Sequence, residues 1–398
     1  MHQKIKHGDI FPNYELLLPK DLQLKLSFLK SFFKPYTSRV YLVGGAVRDM
    51  VRKRFCREDV EIFDVDLEVF GIDKYLFKEL MDRLGTKGVG KSFFVYKYQE
   101  NIDISLPRVE YKISRGHKGF SVKIATDEKI ASIRRDFKMN ALMLNIFSSK
   151  IFDFWGGLED IFKKQISIID EKKFKEDSLR VLRGIQFSAR FGYKIEKRSC
   201  TVLKSINLDD LSKQRVFWEF EKLFMAKNLH FGLYYLVVLD IFKKIFRLKI
   251  DRKFFLKTAF ELAKNRKNFE KEIYKFYFLY IVSKNLHKNF IYFLDILETP
   301  NEYFRVFKKQ KFLPKNITDR FLVALSMLYP LKYWLGNYKR GVKTRAIKLG
   351  FWDRSFDGGI YPKNLLKEGF YGKELGIELR RRRLKIIKEN YKGRDEKL

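Results

Sequence analysis

Cysteine and histidine are scarce in this chain of 398 residues, which holds two of the first and five of the second. Cys56 and Cys200 cannot build a disulfide framework, and neither stands at metal-like spacing from a histidine. His2, His7, His117, His230 and His287 are scattered and include no His–Asp pair. That argues against a zinc enzyme and against a histidine-rich phosphohydrolase domain. Long apolar runs are missing as well. Phe276 to Val282 is among the longest, far short of the roughly 18 apolar residues that read as a membrane span. The first apolar stretch is short and broken by lysines, which is not a secretory pattern. A cytoplasmic protein with no membrane association is the expectation. Acids are also outnumbered: 48 Asp and Glu face 83 Lys and Arg, a net charge of +35. A field of that sign attracts polyanions and suits nucleic-acid binding. Enrichment in Lys, Phe and Ile also follows from AT-rich coding, so part of the charge is compositional.

What is present points to a folded protein with more than one domain, since 46% of residues are hydrophobic and 33% charged. From Tyr41 the chain reads as a strand, a Gly44-Gly45 turn opening a helix with Arg48 and Asp49, and a second strand bearing Asp64 and Asp66. Residues at i and i+2 of a strand share a face, so these two carboxylates converge. They repel unless a cation lies between them, and hard oxygen ligands suit Mg²⁺. Glu68 extends the alternation to a third acid. The glycine turn lets backbone amides approach a phosphate with no Cβ in the way. Each signal alone is common; their order suggests metal-dependent phosphoryl or nucleotidyl transfer.

Residues 21 to 35 have helical spacing. Short alternating strands follow, including Ser92–Tyr98, Ile102–Leu106 and Phe120–Ile124, with helical periodicity at Tyr75–Leu84 and Ile130–Phe137. After Gly157 the pattern becomes a succession of amphipathic helices with few glycines before Gly341. Two further clusters stand out. Arg134-Arg135-Asp136-Phe137 with Asn140-Ala141 offers paired guanidiniums for phosphates. Glu176-Asp177-x-x-Arg180-x-x-Arg183 places an acid and a base at i, i+3 on a helix, neighbours on its surface.

Taken in order, Leu42-Val-Gly-Gly-Ala-Val-Arg-Asp, Asp64-x-Asp66, Arg134-Arg-Asp-Phe-x-x-Asn-Ala and Glu176-Asp-x-x-Arg-x-x-Arg resemble class II tRNA nucleotidyltransferases. These are the CCA-adding enzymes, related to bacterial poly(A) polymerases. Weaker matches are Asp153-Phe-Trp-Gly156-Gly157 with Asp160, Leu211-Ser-Lys-Gln-Arg215 with Glu219, and Gly369-Phe-Tyr-Gly372-Lys-Glu-Leu-Gly376. The likeness is strong over about residues 40 to 225.

The resemblance implies an α+β fold: a nucleotidyltransferase head with a small mixed sheet over 1–160, a helical neck over 161–230, and a helical body and tail over 231–398. It implies CCA addition to tRNA 3′ ends from CTP and ATP, with Asp64 and Asp66 holding two Mg²⁺ ions. Gly45 and Arg48 would contact phosphates, with Arg135 and Asp136 near the ribose and triphosphate. Either Asp103 or Asp136 would be a third carboxylate. Asp177 and Arg180 would read the base, supported by Arg183. Cytosine and adenine both present an amino donor beside a bare ring nitrogen, which a carboxylate and a guanidinium match; guanine and uracil present the reverse.

Gln186 stands where the family commonly has a third arginine, and Lys138 where it has threonine. The helical remainder would hold the tRNA acceptor arm, with Arg380 to Arg383 on the phosphate backbone or on a solvated helix face. Tyr274, Phe276, Tyr277 and Phe278 read as core. Alternatives are a poly(A) polymerase, a partial CC- or A-adding enzyme, and a non-catalytic RNA-binding scaffold.

Overall fold

The computed structural model describes residues 5–88, 95–112, 120–265 and 271–391. His2, His117 and the expected strand start at Ser92–Phe94 lie outside these residues. Contacts divide the chain into two units, one comprising Met1–Ser188 and Gly192–Leu211, the other Ala189–Phe191 and Ser212–Leu398.

The first unit is organised by strands β1 (Val40–Val43) and β2 (Val65–Val69), paired antiparallel. β1 is buried at all four positions, which explains its unbroken apolar run. β2 alternates: Val65, Leu67 and Val69 are buried on one face, so Asp66 and Glu68 share the other. The chain adds β3 (Lys87–Gly88), β4 (Val95–Tyr98), β5 (Ile102–Ser105), the separate β6–β7 hairpin (Arg108–Lys112 and Phe120–Ile124), β8 (Met143–Asn145) and β9 (Ile151–Phe152). Seven strands form one sheet in the order β3-β4-β5-β2-β1-β8-β9. Only the β2–β5 pair within it is parallel, so the sheet is mixed as expected.

Helix α1 (Lys20–Phe33) buries Leu22, Leu26, Leu29 and Phe33 at the spacing its sequence predicts. Helix α2 (Gly45–Phe55) starts directly after the glycine turn, and α3 (Lys74–Arg83) is capped by the Asp73 carboxylate, which accepts from the amides of Tyr75 and Leu76. The helical periodicity from Ile130 to Phe137 is realised only in part. Helix α4 spans Glu128–Ser132, and Phe137 turns into an isolated bridge with Ile168 instead. Phe137 is fully buried against Phe174 and Phe187, so tertiary burial overrides local periodicity there.

Helix α5 (Gly157–Lys163) shows why Asp153-Phe-Trp-Gly-Gly stands together. Asp153 accepts from the amides of Gly156, Gly157 and Leu158, closing the helix start. A Cβ on Gly157 would stand 2.3 Å from the Lys138 carbonyl oxygen. Helices α6 (Glu171–Lys175) and α7 (Leu179–Phe191) follow, with a short parallel pair, β10 (Gln165–Ile166) and β11 (Lys194–Ile195), that the helical pattern did not announce.

The second unit is helical from Lys213–Phe224 to Gly372–Asn390. Phe276, Tyr277 and Phe278 are buried, in keeping with their reading as core. A cluster around Trp334, Phe321, Leu325 and Ile387 packs the end of the chain. Within the arginine run, Arg381 and Arg382 donate to Glu378 and hold its carboxyl down at about 2, Arg382 also pairs with Glu368, and Arg383 donates to the Ile360 carbonyl. Much of that charge is therefore matched within the chain. Among the described residues no helix is long and apolar enough to cross a membrane.

Candidate active site

Gly44 is the pivot between β1 and α2. Its φ of 72° lies in the left-handed region that favours glycine, and a Cβ there would meet the Arg135 Nη1 atom at 2.6 Å. The turn thus carries the start of an 11-residue helix beneath a guanidinium. Register places Val43 beside Asp66 across β1–β2, and Asp66 beside Asp103 across the parallel β2–β5 pair. Asp64 lies just before β2. All three aspartates are solvent-exposed. Desolvation by the surrounding protein nonetheless raises the Asp66 pKa; the Arg135 charge opposes this, and Asp103, Asp64 and Glu68 add to it. Of the two candidates for a third carboxylate, Asp103 is the one beside Asp66.

Asp136 is instead buried inside a polar network. Its Oδ1 accepts from the Phe137 amide at 2.8 Å and from Asn140 Nδ2 at 2.9 Å, and its Oδ2 from Arg183 Nε at 2.7 Å. Burial favours the neutral acid, but Arg183, Asn140 and Arg180 outweigh it and hold the pKa below the ordinary value. Asn140 Oδ1 accepts from Arg48 Nη1 at 2.6 Å. Arg48 in turn grips Asp49 through Nε at 3.0 Å and Nη2 at 2.7 Å, and Arg52 joins Asp49 to Glu58. Desolvation works against the Asp49 charge, yet the two guanidiniums keep its pKa low. Arg48 is 4% exposed, turned into this network and lying over the Phe187 ring. A continuous chain of charge-assisted bonds therefore joins α7 to α2.

Glu68, on β2, accepts from Arg134 Nη2 at 2.6 Å and Arg135 Nη2 at 2.9 Å. Asp177 stands two residues ahead of α7, where its side chain accepts from the Leu179 amide, rather than on the helix. Arg180 lies in the first turn of α7 and donates to the carbonyls of Lys173 and Arg134. The sequence places Asp177 and Arg180 together, but Glu68 and the linking role of Asn140 are tertiary facts. The third acid in the alternation and the Asn-Ala after Arg-Arg-Asp-Phe were their only signals.

The Poly A polymerase head domain matches residues 40–167. A CCA-adding enzyme of Buchnera aphidicola subsp. Cinara cedri is 31% identical over 336 residues, covering 78% of this chain and 77% of the relative. The chain belongs to the CCA-adding enzyme family. A second family member, from Streptococcus uberis, is 31% identical over 227 residues, covering 55% of this chain and 54% of that enzyme. The chain thus spans about half the length of that relative. In fold, the chain is similar to a CCA-adding enzyme solved with CTP, with a TM-score of 0.67, 20% identity, and coverage of 98% of this chain and 97% of the other. The matched head-domain span, residues 40–167, includes Asp64 and the strands that carry Asp66 and Asp103.

Proposed function

We propose that this protein adds C, C and A to tRNA 3′ ends from CTP and ATP, releasing pyrophosphate and using no nucleic-acid template. The observation that carries the reading is the juxtaposition of Asp66, Asp103 and Arg135 at the Gly44 turn, in a chain of this family. In this reading residues 1–160 are the catalytic head, 161–230 the neck that selects the base, and 231–398 the body and tail that hold tRNA. The reaction takes place in the cytoplasm.

The donor set fits Mg²⁺. Asp64 and Asp66 supply hard oxygens, and Asp103 stands beside Asp66 on the neighbouring strand, so acids gather where a cation would offset their repulsion. Among the described residues no three His, Cys, Asp or Glu side chains are grouped to hold a metal by themselves. Mg²⁺ is commonly bound by one or two carboxylates and completed by substrate phosphates and water. When bound, Mg²⁺ would activate the RNA 3′-hydroxyl and neutralise the triphosphate and the leaving pyrophosphate.

The remaining work falls to the chain's own groups. Gly44 and Gly45 leave the amides at the start of α2 open to phosphate oxygens, with Arg135 above them. Arg180 is oriented by the Lys173 and Arg134 carbonyls, keeping further N–H groups for a ring nitrogen, while Asp177 accepts from the amino group of C or A. Arg183 and Asp136 fix the helix that carries Arg180, and Arg48 ties that helix to the phosphate turn.

The test offers purified protein tRNAs ending before CCA, after C and after CC, beside an oligo(A) RNA, each with CTP, ATP, GTP or UTP. Completion of CCA on tRNA alone is expected, and Asp64→Ala should eliminate it. Long A-tails on unrelated RNA without CTP incorporation would overturn the reading in favour of a poly(A) polymerase.

A further inference from the structure

Glu68 is 2% exposed, on a central strand between Tyr41 of β1 and Ser105 of β5, and faces the same side as Asp66. An acid beside a phosphate and metal site is unfavourable unless cations hold it, since it repels both Asp66 and a triphosphate. Here one oxygen, Oε1, receives Nη2 of both Arg134 and Arg135. This contact decides which edge of each arginine is left for other partners. Arg135 is gripped by Nη2, and its Nη1 is directed to the Gly44 turn. Arg134 is gripped by its side chain, and its carbonyl accepts from Arg180 Nη2 at 2.6 Å.

We propose that Glu68 is a positioning residue that orients Arg135 toward the nucleotide's triphosphate and, through Arg134, braces the base-reading Arg180. This rests on the proposed reading of the site as a nucleotidyltransferase centre. A guanidinium is planar, so fixing one nitrogen and the ring of contacts around it fixes the direction of the others. Glu68 acts through the arginines and does not touch substrate. Its charge matters more than its shape, because a neutral amide accepts from two guanidiniums far more weakly than a carboxylate.

The test is calorimetric and independent of turnover: binding of MgATP and of inorganic tripolyphosphate with Mg²⁺ to wild type, Glu68→Gln and Glu68→Asp. Glu68→Gln should weaken both ligands about tenfold, equivalent to about 1.4 kcal/mol, while tRNA affinity is unchanged. Glu68→Asp, which restores the charge on a shorter arm, should recover part of the loss. Wild-type affinity for tripolyphosphate in a folded Glu68→Gln protein overturns the proposal, as does an equal loss of tRNA affinity, which marks a general structural defect. If Glu68→Gln does not fold, Glu68→Asp decides: intermediate affinity supports the role and wild-type affinity refutes it. Failure of wild type to extend any tRNA would overturn the functional reading instead, and is read from a different assay.

Discussion

Replacing Asp136 with asparagine should separate the network from the chemistry it supports. The substitution keeps one oxygen for the Phe137 amide and Asn140, but puts a neutral amide against Arg183 Nε, where a carboxylate oxygen now accepts at 2.7 Å. A hydrogen bond to a charged group contributes about 1.5–3 kcal/mol. Arg183 has a side chain 35% exposed and can recover water, so the lower part of that range applies, about 2 kcal/mol. The acid's folded pKa is depressed, so its contribution is present above the unfolded value near 4 and lost as pH falls through the folded one. The urea midpoint of Asp136→Asn should thus fall at pH 7 with an unchanged m-value, and the gap from wild type should narrow as pH falls below about 4. A midpoint unchanged at pH 7, with CTP and ATP preference also intact, would refute the view that Asp136 anchors α7.

Gly157→Ala should destabilise by about 3 kcal/mol through the clash with the Lys138 carbonyl, read as a lower thermal midpoint; an unchanged midpoint would refute the packing account. Asp160 is buried, and desolvation lifts its pKa to about 6 despite hydrogen bonds from Ser167 and Gln165. A raised folded pKa favours the folded state at low pH, fully below the unfolded value and lost as pH rises through about 6. Relative to Asp160→Asn, wild type should therefore lose about 2 kcal/mol between pH 4 and 7, and parallel urea profiles would contradict this. Asp177→Ala should relax base choice toward GTP and UTP while leaving tRNA affinity intact; unchanged nucleotide preference would remove the base-reading role.

Local pattern determined a good deal here. Alternation of Asp64, Asp66 and Glu68 put acids on one face, the glycine pair announced the sharp entry into α2, and the Leu and Phe spacing of 21–35 announced α1, because strand and helix periods are properties of the chain itself. What depended on distant partners was decided only on folding. Asp103 and Asp136 were equal candidates in sequence. Strand register then set Asp103 beside Asp66, while Asp136 went to Arg183 and Asn140. The helical periodicity at 130–137 yielded to burial of Phe137, and Glu68 found Arg134 and Arg135 some 66 residues away. A carboxylate's partner is chosen by which guanidiniums the packed sheet and helices bring within reach, and no spacing along the chain encodes that distance.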